Sequence, residues 1–277
     1  MKNFFIIANY QKNPCMKTAN YLCRYLQENG MNCSVQDSQD HTDPGRIPAQ
    51  TECVLVLGGD GTLLRAARDL VNLDIPLLGI NMGTLGYLAE IESEHAVAAV
   101  NRLITGDYTL EKRMMIEGRV IRDGQNVLGD IALNDIVISR HGRLRVLDFR
   151  ISVNDAFLCD YRSDGIIIAT ATGSTGYSLS AGGPIVSPDA NLMLLTPVAP
   201  HTMGSRTIVL PSSVRICIEV CGREFLPDDG ADAAFDGDTI CSLRVGDKII
   251  VNRALRQTTL VKINHTSFVE ILRNKMN

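Results

Sequence analysis

The sequence of 277 residues lacks the features that mark membrane proteins and nucleic-acid-binding proteins. It contains no apolar run near the about 18 to 20 residues needed to cross a bilayer, and the apolar stretch at residues 4–8 is too short for the core of a signal peptide. The formal net charge is −4, and lysine and arginine are scattered rather than clustered. We therefore expect neither a membrane nor a nucleic acid among the partners, and a cytoplasmic location.

Cysteine and histidine lack the spacing of a metal site. None of the eight cysteines forms a Cys-x-x-Cys pair, and none has a histidine nearby at metal-ligand spacing. We expect reduced thiols that pack as small apolar side chains. The chain also has no internal repeat and no low-complexity tract, while 45% of its residues are hydrophobic. That composition predicts a folded globular protein with one large domain or two ordinary ones.

Strands alternate with helices in the first part of the chain. Short apolar runs predict strands at residues 4–8, 33–35, 54–57 and 76–81. Apolar residues at helical spacing predict a helix over residues 16–28, and Ser93 and Gly106 suit the start and the end of another helix. This alternation predicts an α/β domain with a parallel, Rossmann-like sheet over residues 1–108.

The pattern changes beyond residue 108 to short alternating strands. Turn dipeptides typical of hairpins occur at residues 123–124, 154–155, 236–237 and 246–247. Candidate strands between them include residues 115–121, 135–139, 147–153, 165–169, 215–220 and 248–251. We expect an all-β domain over residues 109–259. The apolar segment at residues 259–272 is expected to return to the first domain, so that residues 260–277 complete it.

A glycine turn at residues 57–64 places one carboxylate between an apolar strand and an amphipathic helix. Gly58, Gly59 and Gly61 carry no Cβ, so their backbone can adopt positive φ and its N–H groups can approach an anion. With Thr62 as the expected N-cap, the helix adds unpaired N–H groups and a partial positive charge. Asp60 itself repels phosphate. It is therefore expected to serve a metal ion, a ribose hydroxyl or a proton transfer, unless it only caps the helix.

Three further segments carry polar groups beside apolar strands. Residues 79–90 contain three glycines and Tyr87, whose ring offers a stacking face, although a structural loop is equally compatible. Asn134 and Asp135 adjoin one another, and both can reach one ligand only at a strand end or a bulge. Residues 162–184 combine an Arg-Ser-Asp-Gly run with a dense set of hydroxyls and glycines after a buried strand. Such a set suits a polar ligand with ribose, amide and adenine edges.

In combination, these segments resemble the NAD kinase family. The family pattern is Gly-Gly-Asp-Gly-Thr, then Asn-Glu or Asn-Asp, then Asp-Gly and Thr-Gly-Ser-Thr-Ala-Tyr. This chain carries the same order at residues 58–62, 134–135, 164–165 and 172–177. The resemblance spans about residues 54–240. It departs at Gly176, where the family commonly has alanine, and the missing methyl is expected to affect affinity more than chemistry.

The resemblance implies transfer of the terminal phosphoryl group of ATP, or of polyphosphate, to the 2′-hydroxyl of the adenosine ribose of NAD. Mg²⁺ or another divalent cation would accompany ATP, and NAD is a substrate. Asp60 is the candidate catalytic base on that hydroxyl. Gly58, Gly59, Gly61 and Thr62 are the candidate phosphate-binding residues. No metal ligand is assigned, and a homodimer or homotetramer is expected from the family.

Further roles follow by family analogy. Asn134 and Asp135 would hold ribose hydroxyls and adenine, Asp164 would accept from the nicotinamide carboxamide, and Arg162 would neutralise phosphates. The remaining candidates for NAD binding are Asp60, Gly61, Arg65, Tyr87, Arg145, Thr175, Gly176, Tyr177, Ser178, Leu179 and Ser180. Arg65 and Arg145 are expected phosphate contacts, although lone arginines are more often solvated surface charges. The Asp236-Gly237 dipeptide is interpreted as a hairpin turn in preference to a second acidic element of the site.

Two other classes of function remain open at this point. The glycine turn also resembles those of diacylglycerol kinases and phosphofructokinases, so a lipid or sugar kinase is the alternative. A lipid kinase should show a basic or apolar membrane-facing patch, and a phosphofructokinase should be longer with a different second motif. A non-catalytic NAD(P)-binding regulator is the third possibility. It would be expected to lose the acid of the glycine turn, which this chain keeps as Asp60.

Overall fold

Helices and strands alternate through the first hundred residues of the computed structural model, which describes residues 1–8, 13–37, 41–83, 86–89, 91–142, 146–201, 204–222, 229–264 and 267–276. The chain divides into two compact units, residues 1–113 with 257–277 and residues 114–256. The elements of the first part are β1 (Asn3–Ala8), α1 (Asn13–Glu28), β2 (Asn32–Asp37), β3 (Cys53–Gly58), α2 (Asp60–Asp69), β4 (Leu77–Asn81), β5 (Ile91–Glu92), α3 (Ala96–Thr105) and β6 (Thr109–Arg122).

The remaining elements are β7 (Gln125–Ala132), β8 (Asp135–Gly142), β9 (Leu147–Val153), β10 (Ala156–Ser163), β11 (Gly165–Thr170), α4 (Tyr177–Ser180), β12 (Leu192–Val198), β13 (Ile208–Pro211), β14 (Ile216–Cys221), β15 (Asp229–Phe235), β16 (Thr239–Leu243), β17 (Lys248–Lys262) and α5 (Phe268–Met276). Short 3₁₀ turns occupy Pro44–Arg46, Ser93–His95 and Thr172–Thr175. No helix within the described ranges is long and apolar enough to span a membrane.

The first unit is built on a parallel sheet in the order β17-β4-β3-β1-β2. Every residue of β3 is buried, as expected for a strand that is covered on both faces. The end of β17 joins this sheet, with Leu260 opposite Leu77 of β4. The carboxyl ends of β1, β2, β3 and β4 therefore meet at one edge, which is where ligands bind in open α/β sheets.

Amphipathic helices cover this sheet. The face of α1 that the sequence predicts is buried at Ala19, Leu22 and Leu26, while Cys23 is only partly buried. The helix α3 begins later than the sequence predicts, because a short turn precedes it. Ser93 opens a 3₁₀ turn, and the α-helix begins only at Ala96. It ends as expected at Gly106, whose φ of 84° is the left-handed conformation that glycine adopts most easily.

The second unit is almost entirely antiparallel β structure. One sheet has the order β13-β12-β11-β8-β15-β16, and β9 pairs with β10 and β14 in another. Both residues of the predicted turns at 123–124, 154–155 and 236–237 have positive φ. At 123–124 and 154–155 these two residues alone connect the paired strands, as in hairpin turns of the favoured twist, whereas the third loop also includes Asp238. The core of the second unit consists of side chains that alternate inward along the strands, and Phe149 and Phe235 are among the largest.

The predicted fold class is confirmed: an α/β unit with a parallel sheet precedes a β-rich unit, and the C-terminal segment returns to the first. The return is made by one long strand. β17 pairs with β14 at its start and with β4 at its end. The helix α5 then follows within the first unit.

Candidate active site

The glycine turn connects β3 to α2, and its geometry differs in two respects from the sequence-based expectation. The N-cap of α2 is Gly59, and Thr62 lies inside the helix, so the prediction of Thr62 as the cap is wrong. None of Gly58, Gly59 and Gly61 has positive φ. Gly58 is required for space instead, because a Cβ there would overlap the Thr62 side chain.

The same turn is open where a ligand would approach. A Cβ added to Gly59 or Gly61 would meet nothing within 4 Å. The first N–H groups of α2 have no partner within the helix, and they carry its partial positive charge. The apolar face of α2 is buried at Leu63, Ala66 and Ala67, while Leu64 is only partly buried. The turn therefore presents bare backbone to solvent, as an anion-binding segment should.

The carboxylate of Asp60 is held by the second glycine segment. The backbone N–H of Tyr87 donates to Oδ2 at 2.8 Å, and the N–H groups of Leu88 and Ala89 donate to Oδ1 at 3.1 Å each. Gly86 lies so close that any Cβ there would overlap the Asp60 carboxyl. A carboxylate offers about four acceptor positions, so these three bonds leave one, on Oδ2.

The ring of Tyr87 has a partner that the sequence did not suggest. The ammonium group of Lys275, on α5, lies 4.3 Å from the ring centroid, within range of a cation–π interaction. One face of the ring is thereby covered. Arg65, the other predicted contact of this unit, lies half-buried on α2, about one turn beyond Asp60.

In the second unit, Asn134 and Asp135 lie at a strand end, which is the position from which two adjacent residues can serve one ligand. β8 begins at Asp135. The backbone around the pair is fixed by the carboxylate of Asp236, which accepts from the N–H groups of Leu133 and Asn134 at 2.8 Å and from that of Asp135 at 3.1 Å. Asp236 is thus both a hairpin residue, with φ of 49°, and an acidic element beside the pair.

The sequence analysis missed this role of Asp236. The Asp-Gly dipeptide indicated the turn correctly, but its partners lie about a hundred residues earlier in the chain. Local spacing carries no information on such a contact. The available signal was the presence of an acidic residue in a motif-bearing unit, and this signal is weak because Asp-Gly turns are common in hairpins.

Burial acts strongly on Asp135, which is 7% exposed. Removal from water raises the pKa of its carboxyl to about 7, and the negative charge of Asp236 adds to the rise. Beside it, Oδ1 of Asn134 is buried without a hydrogen-bond partner. Two polar groups at one place thus lack partners within the described protein, which suggests that a ligand supplies them.

The hydroxyl-rich segment after β11 packs directly on this pair. The Thr170 hydroxyl donates to the Leu133 carbonyl at 2.6 Å and accepts from the N–H of Gly173 at 3.1 Å. A Cβ at Gly173 would overlap the Asn134 backbone. At Gly176, a Cβ would lie 3.5 Å from Nδ2 of Asn134 and 3.6 Å from Oδ2 of Asp135. The two motifs are therefore brought together.

The rest of this segment contains both exposed and supporting residues. Tyr177 is 45% exposed and Ser180 is exposed, whereas Thr175, Gly176 and Leu179 are partly buried. Ser178 is fully buried, and its hydroxyl bonds with that of Thr196 at 3.0 Å. Among the predicted contacts, Ser178 is thus placed to support the loop.

Asp164 is paired with an arginine that the sequence analysis did not single out. Nε of Arg140 donates to Oδ1 at 2.8 Å and its Nη2 donates to Oδ2 at 3.0 Å, a bidentate arrangement. The hydrogen bonds and charge of Arg140 lower the pKa of Asp164, with a smaller contribution from His201. Arg162 instead lies on the exposed side of β10, 72% exposed, with Asp148 at 3.1 Å. Arg145 lies outside the described residues.

Sequence comparison finds the same family over most of the chain. Residues 45–108 match the ATP-NAD kinase N-terminal domain, and residues 133–263 match the ATP-NAD kinase C-terminal domain. The NAD kinase of Lachnospira eligens is 40% identical over all of this chain and all of its own length. The NAD kinase of Agathobacter rectalis is 43% identical over all of this chain and 99% of its own.

Solved structures are similar as well. The crystal structure of yeast NADH kinase complexed with NADH has a TM-score of 0.87 and 26% identity, and the match covers all of this chain and 87% of that one. An NAD kinase from Archaeoglobus fulgidus in complex with ATP shares the fold at a TM-score of 0.78 and 22% identity, over 99% and 98% of the two chains. From the two domain matches and the full-length relatives, the chain belongs to the ATP-NAD kinase family and is an NAD kinase.

Proposed function

We propose that this enzyme transfers the terminal phosphoryl group of ATP to the 2′-hydroxyl of the adenosine ribose of NAD, and that Asp60 accepts the proton of that hydroxyl. In this step a bond forms between the 2′-oxygen and the γ-phosphorus, and the bond from that phosphorus to the ADP oxygen breaks. The products are NADP and ADP. The observation that carries the proposal is the Asp60 carboxylate, which three backbone N–H groups fix in one orientation with one acceptor position left.

Phosphoryl transfer depends on positioning and on balancing negative charge more than on covalent chemistry. The fixed carboxylate suits this requirement because it aligns the hydroxyl without reorganising as the proton moves. The open backbone at Gly59 and Gly61, with the N-terminus of α2, would receive the donor phosphates. Gly58 and Thr62 contribute to this by their close packing, which sets the path of the turn.

The second unit would bind the adenosine part of NAD. Asn134 and Asp135 offer unpartnered polar groups, and Thr175, Gly176 and Tyr177 would frame the base beside them. Leu179 and Ser180 would complete the same loop. Ser178 would act through its bond to Thr196 rather than by contact.

Asp164 would accept from the nicotinamide carboxamide through the acceptor positions that Arg140 leaves on its two oxygens. Arg140 keeps this carboxylate ionised, which favours an N–H donor as its ligand. Arg162, exposed beside Asp148, would reach a phosphate only by leaving that ion pair. Arg65 and Tyr87 would contact the dinucleotide as well, with stacking on the ring face that Lys275 does not cover.

Mg²⁺ or another divalent cation would enter with ATP as part of that substrate and balance the phosphate charges. We assign it no protein ligand. A homodimer or homotetramer and a cytoplasmic location complete the proposal. Eight free cysteines support the location, because a reducing compartment keeps thiols unpaired.

The test is a coupled assay of NADP formation with purified protein, NAD and Mg²⁺. ATP and polyphosphate are compared as donors, NAD and NADH as acceptors, and chelated metal serves as the blank. We expect NADP to form with at least one donor and to disappear on chelation. The same assay with a diacylglycerol or a sugar phosphate as acceptor tests the lipid and sugar kinase alternatives. Transfer to one of those, with none to NAD, would overturn the proposal.

A further inference from the structure

Two carboxyl groups of the second unit, those of Asp135 and Asp236, interact through their charges, and their surroundings differ sharply. Asp236 accepts three backbone N–H bonds, which stabilise a negative charge. Within the described parts of the chain, no hydrogen-bond donor reaches the carboxyl of Asp135, although that residue is 7% exposed. Of two carboxyls whose charges repel, the one that is buried without donors takes up a proton more readily.

Among the described residues, β11, β15 and residues 172–176, which adjoin Asp135, contain no cation to oppose this. β11, its neighbour on one side, has the sequence Gly-Ile-Ile-Ile-Ala-Thr and no titratable side chain, and residues 172–176 have none. On the other side β15 ends in Ala-Ala-Phe before Asp236. Arg140, His141 and Asp232 lie four or more positions further along the paired strands. Asp236 is therefore the charge that acts on Asp135, and burial together with that charge puts the pKa of Asp135 at about 7.

The Asp135 carboxyl also faces the place where a ligand is expected. A Cβ at Gly176 would lie 3.6 Å from its Oδ2 and 3.5 Å from Nδ2 of Asn134. The Oδ1 atom of Asn134 is buried without a partner at the same place. An amide and a carboxyl that both lack protein partners are matched by a ligand with adjacent donors and acceptors. If the proposed function holds, that ligand is the adenosine part of NAD.

We propose that Asp135 binds this adenosine as a neutral carboxylic acid that donates a hydrogen bond through its own O–H. Asp236 is the positioning residue, which keeps the proton on Asp135 and fixes the backbone of the Asn134–Asp135 pair. The partner atom on the ligand is then an acceptor, such as a purine ring nitrogen. An ionised carboxylate would select the opposite, a hydroxyl or amino donor, so the protonation state decides which atom is recognised.

Calorimetric titration of NAD without a phosphoryl donor tests the proposal, because binding is then measured without turnover. For a proton that is required for binding and leaves at about pH 7, wild-type affinity falls about tenfold between pH 6 and pH 8. Asp135→Ala binds weakly at both values. Asp135→Asn retains an N–H donor of the same shape, so it binds more tightly than Asp135→Ala and loses the pH step. Affinity that rises with pH, or Asp135→Asn as weak as Asp135→Ala at pH 6, would overturn the proposal.

A second measurement does not depend on the stability of those variants. Carbon-13 NMR of aspartate carboxyl carbons in the wild-type protein should show one group that titrates near pH 7. Asp236→Asn removes the neighbouring charge and should move that midpoint to lower pH. Asp123→Asn is the matched control, since Asp123 is an exposed residue of another Asp-Gly hairpin turn with nearly the same φ, 51° against 49°. Wild-type spectra in which every aspartate titrates below about pH 5 would contradict the inference.

The coupled assay separates this inference from the proposed function. If NADP forms but NAD affinity shows no step that depends on Asp135, the enzyme assignment stands and the neutral acid is wrong. If the step and the NMR titration are seen but no donor yields NADP, the neutral acid stands and the proposed reaction is wrong.

Discussion

Asp60→Asn is the substitution that tests the proposed chemistry most directly. The structure predicts two separate effects, since Asp60 both fixes the backbone of residues 87–89 and is the proposed base. Asparagine can keep an oxygen for the N–H groups of Leu88 and Ala89. Its amino group then faces the N–H of Tyr87, which replaces an attraction by two opposed donors.

The two effects have different magnitudes. Loss of one charge-assisted hydrogen bond and weakening of two others costs about 1 to 3 kcal/mol in the free energy of unfolding. A domain of ordinary stability has about 5 to 15 kcal/mol and stays folded. Removal of a general base lowers kcat by at least about 100-fold, or about 2.7 kcal/mol in the barrier. A folded variant with that loss therefore reports on chemistry and not on unfolding.

The measurement is steady-state NADP formation together with calorimetric NAD affinity and thermal unfolding, for wild type, Asp60→Asn and Asp74→Asn. The last is a matched control, because Asp74 is an exposed turn residue of the same unit with φ of 51°, a conformation that asparagine tolerates. We expect a low kcat with nearly unchanged NAD affinity in Asp60→Asn alone. Turnover close to wild type would refute the base, and a loss confined to KM for NAD would reduce Asp60 to a loop-ordering residue.

Three other substitutions test neighbouring parts of the site. Gly86→Ala places a Cβ on the Asp60 carboxyl, so the melting temperature and kcat of this variant should both fall. Gly59→Ala should keep the wild-type melting temperature because its Cβ meets nothing within 4 Å, and equal melting temperatures for the two variants would contradict the close approach at Gly86. Asp164→Ala should raise KM for NAD more than KM for ATP in steady-state kinetics, and equal changes would remove its carboxamide role. Gly176→Ala should change KM for NAD by roughly tenfold or less at constant kcat, and a large loss of kcat would place this wall nearer the chemistry.

The sequence predicted most of what depends on local pattern. Continuous apolar runs such as residues 54–57 became strands buried on both faces, and the dipeptides at 123–124 and 154–155 became turns with positive φ at both residues. Gly106 ends α3 as its spacing indicated. These features depend on backbone preferences and hydrophobic periodicity, and both can be read from residues that are adjacent in the chain.

The sequence did not predict what depends on contacts between distant residues. Thr62 looked like a cap because its residue type favours that position, but its side chain packs on Gly58 inside the helix. The bonds from residues 87–89 to Asp60, from Arg140 to Asp164 and from residues 133–135 to Asp236 join segments separated by 24 or more residues. Tertiary packing decides such partners, and no spacing rule encodes them.

The long strand β17 makes the first unit discontinuous in the chain. A ribosome completes residues 114–256 before it makes the strand end and the helix that finish the part carrying Asp60. Until Leu260 emerges, Leu77 of β4 has no β17 partner. A nascent or clipped chain that stops before residue 257 thus contains every motif residue of the family, yet its phosphate-binding unit lacks the strand end and the helix that complete it.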